Sequence, residues 1–206
     1  MKIIDLTHKF GSSIPVYPGD PKASLTQTAF IDKDTYNDHR LVTQMHAGTH
    51  IDAPWHMIDD RKRIDQLPPE SFIGKGVLIN ADGEKEIGLD ILGSLEINSE
   101  SIVLIHTGFD KYYGEPKYFE DSPFLSVELA NFFVEKKVKM VGLDFAGPDI
   151  DPSWPTHKIL LSAEILIIEN LVNLKELNGI KDFEIIALPI NLKSDGAPAR
   201  VIARIY

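Results

Sequence analysis

Residues 46–56, His46-Ala-Gly-Thr-His50-Ile-Asp52-Ala-Pro54-Trp-His56, gather three imidazoles and a carboxylate into one short stretch. A lone histidine is more often a surface or core residue satisfied by hydrogen bonds. Four ligand-type side chains at this density point instead to a bound divalent metal, because neutral imidazole and carboxylate oxygen are natural donors for zinc or manganese. The chain has no cysteine, so thiolate sites and disulfides are excluded and any metal must take nitrogen and oxygen ligands.

The spacing constrains the backbone. All four residues occupy even positions, so an extended path puts them on one face. A continuous helix would join His46 to His50 but turn Asp52 away, and Pro54 opposes it. A straight strand would in turn separate His46 from His50 by roughly 13 Å, too far for shared coordination at metal–nitrogen distances of about 2 Å. The chain must therefore bend, and Gly48 is the residue best able to take the bend.

A second signal is Glu169, which ends the apolar run Ile165-Leu166-Ile167-Ile168. A carboxylate buried there without a partner is costly, and a metal is one partner; a glutamate emerging at a strand end reads equally well. His157, in "THKILLSAEILIIENL", is weak evidence alone. Tyr17, in the Pro- and Gly-bounded "VYPGD", is read as packing against an aromatic substrate, with simple loop packing as the alternative. His106 suits a pocket or a buried structural role equally. Arg200 in "SDGAPAR" suits a structural salt bridge at least as well as a substrate carboxylate, and is left out of the candidate site.

The elements that must position these residues are mostly strands. Short apolar runs mark them at "KIIDL", "SLTQTAFI", "RLVTQMH", "GVLIN", "SIVLIH", "VKMVGLD", "EILIIE", "FEIIALPINL" and "RVIARI". "SVELANFFVEKK" reads as an amphipathic helix capped by Ser126 and leads into a buried strand. Weaker helical segments lie near 88–95 and 156–163. The order suggests a mixed α/β fold with helices packed on a sheet, in one domain over residues 1–206, with no repeat or linker dividing it.

Lysine and arginine total 21 against 31 acidic residues, a net charge of −10, so the chain lacks the field that nucleic acid requires. Asp5 and His8 interrupt any signal-peptide core, and no run reaches membrane-spanning length, which places the protein in the cytoplasm. HExxH, GxSxG and phosphate-loop motifs are absent.

The stretch from His46 to His56 resembles the HxGTHxDxPxH signature of the putative cyclase family, whose best-known members are bacterial kynurenine formamidases. "DLTHKFGSSIPVYPGD", "HKILLSAEILIIENLVNL" and "LPINLKSDGAPARVIA" look like further segments of that family, so the resemblance spans nearly the whole chain. It implies a swivelling β/β/α domain with a mixed sheet, assembled as a homodimer or larger homo-oligomer. It implies two zinc ions per subunit, with manganese as the alternative: His46, His50 and Asp52 on one, Asp52 reaching the second, His157 on that second ion, and Glu169 on both. His56 takes the place of the family's proton donor and acceptor, a task that imidazole's near-neutral intrinsic pKa suits.

The implied activity is arylformamidase, in which water cleaves N-formylkynurenine to kynurenine and formate. Hydrolysis of an isatin-like cyclic amide, or metal or ligand binding without turnover, are the alternatives. Three departures leave the small-molecule amide substrate open. Tyr17 stands where formamidases commonly have tryptophan, His106 stands where many relatives have arginine, and "GLDFAGPDID" differs from the more usual Gly-Ile-Asp-x-x-Ser form.

Overall fold

The computed structural model describes all residues, Met1–Tyr206. Its strands are β1 (Lys2–Asp5), β2 (Ser24–Ala29), β3 (Asp38–Val42), β4 (His50–Asp52), β5 (Ile73–Asn80), β6 (Glu86–Ile87), β7 (Ile102–His106), β8 (Phe124–Leu125), β9 (Met140–Leu143), β10 (Leu166–Glu169), β11 (Phe183–Pro189) and β12 (Gly196–Ile205). Its α-helices are α1 (Ile31–Asp34), α2 (Lys117–Glu120), α3 (Val127–Lys136) and α4 (Pro155–Ser162). None is long and apolar enough to cross a membrane.

Seven strands close into a ring in the order β12, β11, β5, β7, β9, β10, β4 and back to β12, with β1 added on the outside of β12. The neighbours from β5 through β7 and β9 to β10 run parallel. The pairs made by β4, β11 and β12 are antiparallel. Closure depends on the length of β12, whose first residues pair with β4 while its last pair with β1.

The parallel strands are buried on both faces, which is why they read as continuous apolar runs rather than as alternation. Ile102, Leu104, Met140, Leu166 and Ile168 share one core with Ile51, Ile185, Ala197 and Val201 from the antiparallel side of the ring. Val103, Ile105, Val141, Leu143 and Ile167 point the other way, against Leu129 and Phe133 of α3 and Leu160 and Leu161 of α4. The Ser126 hydroxyl accepts from the Leu129 N–H at 3.1 Å and so begins α3 where the sequence places its cap.

The segment near 88–95 forms only a 3-10 turn, Leu89–Leu92. Gly88 and Gly93 flank it, and the positive φ of Gly93 stops propagation. The segment near 156–163 is the helix α4. The strands β2 and β3 pair only with each other and form a solvent-exposed ribbon.

Candidate metal centre

The histidine-rich stretch is neither one strand nor one helix. His46 sits in a turn, His50 and Asp52 lie on β4, and His56 ends the 3-10 turn Pro54–His56. Alternation along β4 sends His50 and Asp52 to one face and Ile51 into the core, fully buried. The antiparallel pairing with β10 sets Glu169 directly opposite His50. On the other side of β4, β12 places Gly196 opposite Asp52. A Cβ at Gly196 would stand 2.7 Å from His46 Cε1, so only glycine lets that ring lie over the strand.

Gly48 supplies the bend, at φ +69°. An added Cβ would clash only with Ile14 Cδ1, the free end of a side chain that can move aside, so it is the left-handed conformation that calls for glycine. Gly48→Ala is expected to destabilise the fold by about 1–3 kcal/mol, read as a fall of a few degrees in Tm. An unchanged melting curve would show that this bend carries no strain.

Asp52 Oδ1 lies 2.7 Å from His46 Nδ1 and 3.3 Å from His50 Nε2. Glu169 Oε2 is 3.5 Å from His50 Nε2, and its Oε1 is 3.2 Å from His157 Nε2. Asp52 Oδ2 is 3.9 Å from His157 Nε2. Two donor sets share Asp52, namely His46 with His56 and His50 with Glu169, each with its ligand atoms within 4.8 Å of one another. All the metal-ligating candidates read from the sequence are thus brought to one place, with His56 beside them.

The donor chemistry fits a divalent cation. His50 Nδ1 donates to the Gly48 carbonyl at 2.7 Å, which leaves the Nε2 lone pair facing the two carboxylates. That nitrogen is buried and has no hydrogen-bond partner. A lone pair turned toward two buried anionic oxygens is unfavourable unless a cation stands among them.

Two carboxylates that the sequence reading did not single out hold these imidazoles in place. Asp149 Oδ2 accepts from His157 Nδ1 at 2.7 Å and from the His157 backbone N–H at 2.8 Å, while its Oδ1 accepts from the Thr156 N–H. It thereby caps the start of α4 and aims His157 Nε2 at Glu169. Asp195 Oδ2 meets His46 Nε2 at 2.9 Å and His56 Nδ1 at 3.1 Å. Both lie in loop segments, "GPDID" and "SDGAP", and neither is marked by its spacing.

Burial alone would lower the pKa of His46, but Asp52 and Asp195 outweigh it and raise the group to about 10. The same opposition at His157 resolves upward to about 10, through Asp149 and Glu169. Burial pushes Asp52 up, yet the charge and hydrogen bond of His46 hold its carboxyl well below the ordinary value. Hydrogen bonds from His46 and then His56 depress Asp195 strongly. These carboxylates are ionised at neutral pH and form an anionic cradle, and cation binding there must displace protons from the imidazoles.

The donors open into a cavity of about 640 Å³ that also takes in Tyr17, Phe119 and Trp154. Tyr17, half exposed, meets Phe119 and Trp154 edge-on at ring-centroid distances of 5.9 and 6.3 Å. His106 lies outside this cavity, buried and bonded to Asp144 at 2.9 Å, which is a structural role. Arg200 is exposed and forms a bidentate pair with Asp5.

A family model described as Putative cyclase matches residues 4–150. Kynurenine formamidase of Geobacillus thermodenitrificans is 31% identical over 207 residues, covering 98% of this chain and 96% of that protein. The structure of isatin hydrolase A from Labrenzia aggregata, bound to benzyl benzoate, matches with a TM-score of 0.89 at 25% identity, covering 99% of this chain and 93% of the other. A potential metal-dependent hydrolase with cyclase activity matches with a TM-score of 0.82 at 27% identity, covering 100% and 98%. With most of the chain matched by the family model and nearly all of it by the formamidase, the protein belongs to the putative cyclase family.

Proposed function

We propose that the protein is a metal-dependent hydrolase of a carbon–nitrogen amide bond, and that its substrate is an aryl formamide such as N-formylkynurenine, cleaved to the arylamine and formate. The observation that carries this reading is the buried, partnerless Nε2 of His50 facing Asp52 and Glu169, two carboxylates that line a cavity with aromatic walls. His46, His50, Asp52, His157 and Glu169 would hold the metal, which we take to be two zinc ions per subunit, with manganese as the alternative. When bound, such an ion supplies Lewis acidity, lowering the pKa of water and polarising a carbonyl.

The rest is done by the chain itself. His56, held through Nδ1 by Asp195, keeps Nε2 free to take a proton from the attacking water and deliver it to the departing nitrogen. Tyr17 and Trp154 flank the entrance and receive the aryl ring. Asp149 fixes the orientation of His157. We include a homodimeric assembly in the proposal, as the resemblance implies.

The likeness to isatin hydrolase A favours one second reading, opening of a lactam by the same groups. The test is formate release from N-formylkynurenine beside ring opening of isatin, each with metal-loaded and chelator-stripped protein. Formate release that requires metal is the expected result. Ring opening without formate release transfers the assignment to lactams, and turnover that survives chelation overturns the metal-dependent mechanism.

A further inference from the structure

We propose that the substrate's remote end carries no net negative charge, being neutral, zwitterionic or cationic, and that the cavity discriminates against aryl amides carrying a carboxylate there without an ammonium beside it. The inference rests on the amide-hydrolase reading above and narrows its substrate class. No lysine or arginine lines the cavity, whereas Asp20, Asp52, Glu120, Asp149, Glu169 and Asp195 all do. An anionic tail would therefore find no side-chain cation to pair with, other than the imidazoles already committed to the metal centre.

The charge balance separates the floor from the mouth. Asp52, Asp149, Glu169 and Asp195 are engaged with the site histidines, and even two divalent cations only balance those four carboxylates. Asp20 and Glu120, exposed and in no ion pair, stay uncompensated at the entrance. The chain's overall charge of −10 gives the surrounding field the same sign.

Next to these carboxylates are the rings of Tyr17, Phe119 and Trp154. Trp154 holds φ +55°, a costly conformation for a bulky residue, immediately before Pro155 at the start of α4. That conformation leaves its ring edge-on to both Tyr17 and His157, at 6.3 and 5.5 Å. Aromatic faces beside unpaired carboxylates favour an ammonium and disfavour a carboxylate.

The experiment compares three formanilides on one scaffold, bearing an aminoethyl, a methyl or a carboxylate group at the far side of the ring, with the metal-loaded full chain. We expect kcat/KM to favour the ammonium compound over the carboxylate by about tenfold at low ionic strength, and the preference to shrink in high salt. In the Asp20→Asn/Glu120→Gln double variant the ratio should fall to about twofold. Calorimetry with the corresponding arylamines gives a readout independent of turnover, and the same order of binding is expected. Equal or better turnover and binding of the carboxylate compounds would overturn the inference, as would an undiminished ratio in the double variant. If none of the formanilides releases formate yet the arylamines bind in this order, the charge preference stands and the formamidase reading falls.

Discussion

Asp52→Asn is expected to reduce bound metal to less than a tenth of the wild-type content and to slow formate release by about a thousandfold or more, equivalent to ~4 kcal/mol of lost transition-state stabilisation. The substitution keeps shape and removes charge. Three imidazoles converge on this one carboxylate, at 2.7, 3.3 and 3.9 Å, and it is the group common to both donor sets. An amide in its place neutralises that shared anion and can turn an N–H toward a histidine lone pair. The backbone of β4 pairs with β10 and β12 whatever the side chain, so circular dichroism should stay unchanged. Elemental analysis of the purified variant checks the first expectation and a formate assay the second. Full metal content with turnover within tenfold of wild type would remove Asp52 from the centre of the mechanism.

What the sequence disclosed about this site follows from range. His46, His50, Asp52 and His56 lie close along the chain, so their types and parity were legible, and so was the need for Gly48 to bend. Glu169 stood out because a carboxylate closed an apolar run. Asp195 and Asp149 gave no comparable signal, since each is an acid in a loop, outside any apolar run. Asp195 reaches His46 only because Gly196 is in register with Asp52, a pairing between residues far apart in the chain. Asp149 reaches His157 only because the chain turns back at Trp154 to begin α4.

The fold divides in the same way. The long apolar runs and the Ser126-capped helix were readable because burial on both faces and capping leave local patterns. Ring closure was not, because it depends on β4, a strand of three residues that pairs on both sides and is too short to show periodicity. The segment near 88–95, a weaker helical candidate in the sequence, is confined to a single turn by Gly88 and Gly93.

His56→Ala separates two roles that the geometry brings close together. The ring lies within reach of His46 and Asp52, as a ligand would, and its centroid is 3.9 Å from that of His46, tilted by 32°. Its Nδ1, however, is engaged by Asp195, and unlike His46 it makes no hydrogen bond to Asp52, the carboxylate shared by the donor sets. Its side chain, 23% exposed, is open to the cavity where that of His50, at 1%, is not. These contacts favour the proton carrier. The expected result is therefore a fall in kcat of about 10²- to 10⁴-fold with metal content unchanged, partly restored by added imidazole. A proportional loss of metal and rate would instead make His56 a ligand and leave proton transfer to another group. Asp195→Asn sharpens the distinction, because the same carboxylate oxygen orients both rings. If Asp195 serves mainly to orient His56, that variant should lower kcat while metal content holds; if it serves mainly to hold His46, the metal should go first.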